Sequence, residues 1–369
     1  MSTNNQSQNK DHSFYDVLKD DFRRGDFKHS VKKDYRELKD YMFDDERQKR
    51  LNEMKPLKRT LFVSWWLLKG LFFKLTPARR LLLLLAIILI YTSNNIEYAD
   101  TYVSIVIEPG MIGCLILLFI IMLELKDKLI AHEELEEGHS VQKALMPEQS
   151  PRVDGWSLWL YTRSANEVGG DLVDYMKIRE NLYSVTLADV AGKGLSAALL
   201  TAKLQATVRA LAPDVNSLTE LAEKLNKIFV RDSLPNIFAS MVHAEFSSDS
   251  GKVRLINAGH LPPLISKNKK ITQLEKGGAA LGIMAEAKFL EQEIELQKGE
   301  LMFIYSDGLS EARNMNGEFW GDERLTAILQ MLSMFPVNEI GDRMLAEVDR
   351  FIGEAKPHDD ISIAVLRRE

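Results

Sequence analysis

The sequence predicts an α+β protein, with antiparallel sheets and helices packed outside them, preceded by a two-helix transmembrane hairpin and a charged linker helix. Three observations predict it. Two apolar runs precede residue 126; the composition then shifts to charged helix formers as far as Pro147; beyond Pro151, short segments alternate apolar and polar residues around long helical stretches.

The first 60 residues are strongly charged and open without an apolar signal segment, so they read as a cytosolic N-terminal region. Residues 61–76 are apolar, but Lys69 at their middle would be costly in hydrocarbon, and Trp65 and Trp66 favour an interfacial helix over a third span. Residues 77–125 hold two expected spans, Pro77 to Tyr91 with its flank and Val103 to Leu125, each approaching the about 20 apolar residues a crossing needs. Lys55, Lys58, Arg59, Lys69, Lys74, Arg79 and Arg80 precede the first span, and Lys126 and Lys128 follow the second. The loop Thr92 to Tyr102 has no Lys or Arg. Both ends are therefore expected in the cytoplasm, in a multi-pass inner-membrane protein in contact with the lipid bilayer. Residues 126–150 read as a linker helix stopped by Pro147. Its heptad register is poor, since Leu125 and Leu129 share it with His132 and Glu136, so the sequence leaves a homodimer through this helix open.

Residues 151–369 form the expected soluble domain. Alternation marks strands at Leu182 to Ala188, around Val242 to Phe246, around Val253 to Leu255, at Leu301 to Ser306 and at Ile361 to Leu366. Helical stretches run Gly194 to Ala212, Ser217 to Asp232 and Arg324 to Phe335. The 47 Lys and Arg against 53 Asp and Glu leave a charge of -6, without the basic footprint of a nucleic-acid binder. The lone Cys114 lies in an apolar run, which argues against a disulfide framework, a Cys-rich zinc site and thiol catalysis.

The acids stand at strand ends. Asp189 follows one strand, Asp307 follows another, Asp359 and Asp360 precede a third, and Asp171 is expected in the loop after "GWSLWLYTRS". In antiparallel sheets such ends are neighbours, so these carboxylates converge on one edge. Each acid alone reads as a turn or cap residue. Together they repel one another unless cations sit between them, and oxygen-only donors favour Mg2+ or Mn2+ over zinc.

Six motifs follow in order: "ANEVGGDLVDY", "LADVAGKGLSAALLTA", "INAGHLPPLI", "GAALGIM", "LMFIYSDGLSEARNMNGEFWG" and "HDDISIAVLRR". Over about residues 140 to 369 the chain resembles the PPM-type, metal-dependent serine/threonine protein phosphatases, in their bacterial sporulation-protein-E-like and sigma-factor-regulator branch. "VQKALMP" is similar to that branch's lead-in helix. The resemblance implies a four-layer α-β-β-α sandwich and a two-cation site, with Mn2+ or Mg2+ as the cofactor. By motif, Asp171 binds one metal, Asp189 bridges both, the Val190 carbonyl completes the second site, and Asp307 and Asp359 hold the first, with Asp360 as the adjacent candidate. Asp171, Asp189, Asp307 and Asp359 are thus the catalytic carboxylates. The implied reaction is attack of a metal-activated water on phosphoserine or phosphothreonine of a phosphorylated regulatory protein, by analogy an anti-sigma-factor antagonist. The alternative is a catalytically silent pseudophosphatase, a membrane-tethered interaction module; the intact acids argue against it.

One departure stands out. Where the branch often reads D-V-x-G-H-G, this chain has Lys193, read as opening the following helix on a solvated face, with phosphate attraction as the other reading. His260 is expected to pack or turn rather than catalyse. Asn166, Glu167, Arg313 and Asn314 either shape the groove or cap turns, and Asp174 supports the site or a turn. The linker helix is expected to carry regulatory input to Asp171 and Asp307.

Overall fold

The computed structural model describes residues 56–92, 96–99, 104–232, 237–268 and 270–369. The predicted charged region before Pro56 lies outside them. The chain divides into two compact units, residues 1–128 and 129–369.

In the first unit, α1 (Pro56–Lys74) covers the apolar segment and α2 (Pro77–Tyr91) the first expected span. The second span begins later than expected. Strand β1 (Ile96–Ala99) pairs antiparallel with β2 (Ser104–Ile107), and helix α3 (Pro109–Leu145) starts only at Pro109, whose fixed φ and missing N–H suit a first helical position. That helix then runs unbroken for 37 residues, because no helix breaker separates the apolar run from the charged linker. Among the described residues it is the one helix long and apolar enough to cross a membrane. Helix α2, at 15 residues, spans only about 22 Å on its own. Helices α2 and α3 touch: a side chain on Gly113 would meet the Ala86 carbonyl at 2.7 Å, and Arg79 bonds Glu124 at 2.6 Å and Asp127 at 2.7 Å. Leu81, Ile88, Leu115 and Ile121 are exposed on these helices.

The second unit is a sandwich. Strands β3 (Trp156–Arg163), β4 (Asp171–Arg179), β5 (Leu182–Val190), β6 (Ala239–Ser247), β7 (Lys252–Ala258), β8 (Leu264–Lys267), β9 (Lys270–Gln273), β10 (Glu291–Glu295), β11 (Leu301–Tyr305) and β12 (Ile361–Arg368) form two antiparallel sheets. Their orders are β10-β7-β6-β5-β4 and β3-β12-β11-β8-β9. Alternate residues of the two sheets, such as Leu160, Val185, Leu187, Val242, Ile304 and Ala364, face each other in the inter-sheet core. Helices α4 (Leu195–Leu211) and α5 (Leu218–Asp232) cover the first sheet, burying Leu204, Val208, Leu221 and Leu225 against Ala188, Met241 and Ile256. The one-turn α6 (Asp307–Ser310) follows β11. Helices α7 (Asp322–Leu332) and α8 (Val337–Ile352) cover the second sheet, burying Leu329, Met344 and Val348 against Trp159, Phe303 and Val365. The expected α-β-β-α layering is therefore the observed one. The sequence reading is corrected at α8 and at strands such as β4 and β10, which were not expected, and at Asp171, which opens strand β4 rather than sitting in a loop.

Candidate active site

Register brings the first two acids together. Asp171 sits directly opposite Asp189 in the β4–β5 ladder, and Asp189 lies opposite Ser240 on β6. In the second sheet β11 ends at Tyr305, so Asp307 begins the turn of α6, while β12 starts at Ile361 just after the Asp359–Asp360 pair. The two starts are stitched together: the Ser306 amide donates to the Ser362 carbonyl at 2.9 Å and the Ser306 hydroxyl to the Asp360 carbonyl at 3.1 Å. Gly308 permits this approach, since a Cβ there would lie 2.0 Å from the Asp360 carbonyl oxygen.

Electrostatics mark one shared cleft. Burial, then Asp189, pushes the Asp171 carboxyl well above the usual carboxylate range, opposed by the hydroxyls of Ser362 and Ser306. Asp171 Oδ2 is buried without a hydrogen-bond partner among the described residues. Burial, followed by the charges of Asp307, Asp359 and Asp360, pushes Asp189 up to about 7. Burial and Asp359 likewise raise Asp307. Among the described residues, no three Asp, Glu, His or Cys side chains close into a ready-made metal cage.

The remaining candidates separate. Both oxygens of Asp360 are taken by backbone amides: Oδ1 accepts from Ala165 at 2.7 Å, and Oδ2 from Gly170 at 2.7 Å and Asp171 at 3.3 Å. Asp360 thus ties the 165–171 segment to β12, and its neighbour Asp359 is half-exposed. Gly169 leaves room for the tie, because a Cβ there would lie 2.5 Å from Asp360 Oδ2. Val190 ends β5, and its carbonyl lies 3.0 Å from where a Gly170 side chain would begin.

His260 is a strut. Its Nε2 lies 3.1 Å from the Tyr305 carbonyl and its Nδ1 2.6 Å from the Ser240 hydroxyl, so Nε2 donates and Nδ1 accepts. Burial lowers its pKa to about 4, leaving a neutral ring that joins the two sheets. Asn314 caps a turn, its Oδ1 accepting the amides of Asn316 and Glu318. Arg313 stacks its guanidinium over Phe319 at 4.6 Å. Asn166 borders the same cleft as Asp189 and Asp359. Glu167 lies 3.6 Å from His132 of α3. Asp174 pairs with Arg209 of α4 through bonds of 2.7 and 2.8 Å, away from the cleft.

Several residues escaped the sequence reading. Phe238, Ser240, Lys276 and Glu311 line a 510 Å³ cleft beside Asp189 and Asp307. Gln142 of α3 forms a reciprocal pair with Gly169, donating at 2.9 Å and accepting at 3.1 Å, two residues from Asp171. No spacing signal links positions so distant in the chain.

Residues 179–369, over half the chain, match the family described as Stage II sporulation protein E (SpoIIE). The chain belongs to the SpoIIE family. It is 25% identical over 241 residues to the phosphoserine phosphatase RsbU of Bacillus subtilis, covering 64% of this chain and 70% of that protein. It is 26% identical over 189 residues to the phosphoserine phosphatase RsbP of the same organism, covering 49% of this chain and 46% of that protein. This chain therefore spans less than half of RsbP. The solved SiaA-PP2C domain of Pseudomonas aeruginosa superposes with a TM-score of 0.58 at 19% identity, over 66% of this chain and 99% of that one. The SpoIIE-type region is thus a PP2C-like phosphatase domain, and its acids occupy one edge of the PP2C sandwich. That edge fits hard divalent cations in its chemistry: oxygen donors only, one buried and unpartnered, and acids crowded until they resist ionisation.

Proposed function

We propose that the chain is a membrane-anchored, metal-dependent protein phosphatase that hydrolyses phosphoserine or phosphothreonine on a regulatory protein. The observation that carries this reading is the crowding of acids from separate strand ends of a SpoIIE-family domain, Asp171 opposite Asp189 in the ladder and Asp189 under the charges of Asp307 and Asp359. Two B. subtilis relatives named phosphoserine phosphatases support phosphoserine as the substrate group.

Asp171, Asp189, Asp307 and Asp359, with the Val190 carbonyl, would hold two Mn2+ or Mg2+ ions; Asp360 would position them through the 165–171 segment. When bound, such ions supply a hydroxide equivalent near neutral pH and neutralise phosphoryl oxygens during in-line attack. The protein's own part is to fix the carboxylates, to keep His260 neutral and clear of proton traffic, and to admit the phosphorylated segment along the wall formed by Phe238, Ser240 and Lys276. The N-terminal unit supports the anchor through the long apolar α3 and the exposed apolar residues of α2 and α3. The basic flanks of the spans favour a cytoplasmic catalytic domain.

Purified protein, tested with a phosphoserine peptide and p-nitrophenyl phosphate, is expected to turn over with Mn2+ and to stop when EDTA is added. Inactivity across divalent metals and phosphoprotein substrates sinks the reading. Phosphoproteomics after deletion names the substrate.

A further inference from the structure

Among the described residues one ion pair reaches the four cleft acids, and it comes from Lys193. Its Nζ lies 3.6 Å from Asp359 Oδ2 and donates to the His358 carbonyl at 3.0 Å. The side chain thereby crosses from the loop after β5, in the first sheet, to the start of β12 in the second. The flanking backbone serves that reach: Gly192 and Gly194 adopt φ of 122° and 71°, values that favour glycine.

The placement is not explained by the helix that follows. Lys193 directly precedes Gly194, the N-cap of α4, where the helix dipole presents its positive end and a cation is unfavourable. No side chain caps that terminus. A lysine read as a solvated helix start would be better placed almost anywhere else on the helix. What it meets instead is negative charge, and its field opposes the upward shifts of both Asp189 and Asp307.

We propose that Lys193 is the cleft's resident counter-ion, holding Asp359 in the metal-free protein and competing with the divalent cation for that carboxylate. It rests on reading the cleft as a cation site. Lys193 is a positioning residue: the ammonium keeps the second sheet's acid aligned until an ion displaces it, and so sets the cation concentration at which the site fills. An exposed pair of this kind is weak enough to exchange readily.

The test uses the full chain in detergent micelles, with Mn2+ alone as the probe, comparing wild type with Lys193→Met and Lys193→Arg. By calorimetry, Lys193→Met is expected to bind Mn2+ about five-fold more tightly, since losing an exposed competing pair is worth up to ~1 kcal/mol. Lys193→Arg should bind as wild type does. In EDTA, Lys193→Met should melt at a lower temperature than wild type, whereas relief of the helix dipole alone would raise it. Equal Mn2+ affinity in wild type and Lys193→Met overturns the proposal, as does an unchanged or raised melting temperature in EDTA. A raised KM for phosphopeptide with unchanged Mn2+ affinity also overturns it, in favour of direct phosphate binding. Wild type that binds no Mn2+ overturns the phosphatase reading itself; wild type that binds while Lys193→Met binds equally overturns only the counter-ion.

Discussion

Strand β4 carries two buried aspartates three residues apart, and the molecule treats them in opposite ways. Asp174 points to α4 and receives both arms of Arg209. Asp171 is buried with Oδ2 lacking a partner among the described residues, and the strongest charge acting on it is that of another acid, Asp189. The neighbouring strands repeat the contrast: Glu245 on β6 is bonded to Arg254 at 2.6 Å, while Asp189 on β5 is crowded by Asp307 and Asp359. Acids that hold the fold are neutralised by the protein's own arginines. Asp171, Asp189 and Asp307 of the cleft have no ion pair among the described residues, and Asp359 has only the exposed Lys193 at 3.6 Å, so the charge of these acids stays largely uncompensated, unlike that of the scaffold acids.

The largest break of this contrast is Asp189→Ala. With Mn2+ present, turnover of a phosphoserine peptide is expected to fall by more than about 1,000-fold, because the carboxylate proposed to bridge both ions is gone. In EDTA the same change should raise the melting temperature, since it removes the most crowded charge. A variant that loses activity and stability together would place Asp189 among the scaffold acids instead.

Next in size is the pH dependence of the metal-free fold. The unfolded chain releases the Asp189 proton near pH ~4, whereas the folded cleft releases it at about 7. Between those values the folded state binds more protons than the unfolded one, so stability falls as pH rises, by on the order of 2–4 kcal/mol across the window. An acid paired with arginine gives the reverse slope. Thermal melts in EDTA from pH 4 to 8 check the sign, and the rise in melting temperature on adding Mn2+ should grow over the same interval.

The scaffold side is tested by Arg209→Ala. It leaves Asp174, whose side chain is 3% exposed, without its cation. Because Arg209 itself is 42% exposed, water can partly replace it, and the expected loss is about 2 kcal/mol in urea unfolding, with Mn2+ affinity unchanged. A matching fall in Mn2+ affinity would join the two acids into one system.

This division also explains what the sequence could and could not reveal. Strand ends bearing Asp189, Asp307 and Asp359 were legible because alternation and acid adjoin in the chain, and helices α4 and α5 fall within a residue or two of their periodic runs. Strand β4 was hidden because Asp174 interrupts its apolar pattern, and the arginine that makes this tolerable lies 35 residues away. Strand β10, "EQEIE", is a charged sheet edge with too few apolar residues to announce itself. Helix α8 was legible in principle, with Ile340, Met344 and Val348 at helical spacing. The backbone tie of Asp360 runs to the amide of Gly170, 190 residues earlier, and no local pattern carries that.

The smallest expected effect concerns the seam between the cleft and α3. Gln142 holds Gly169 by two hydrogen bonds, and the 165–171 segment held there also supplies the amides that fix Asp360. Gln205 of α4 holds the end of the same helix through the Leu145 carbonyl at 2.8 Å. Gln142→Ala removes both bonds to Gly169 at a half-buried position, a loss of about 1 kcal/mol. If the helix places Asp171, that loss should appear as a several-fold rise in the Mn2+ concentration needed for half-maximal activity, with kcat at saturating Mn2+ nearly unchanged. If the helix is only a tether, melting temperature falls slightly and the Mn2+ dependence does not move. Inserting one residue near Glu134 sharpens the distinction, since it turns everything upstream by about 100° relative to Gln142 while leaving the Gly169 contact intact. An altered Mn2+ dependence in Gln142→Ala together with altered full-chain activity in the insertion variant would make α3 the lever that sets the cleft.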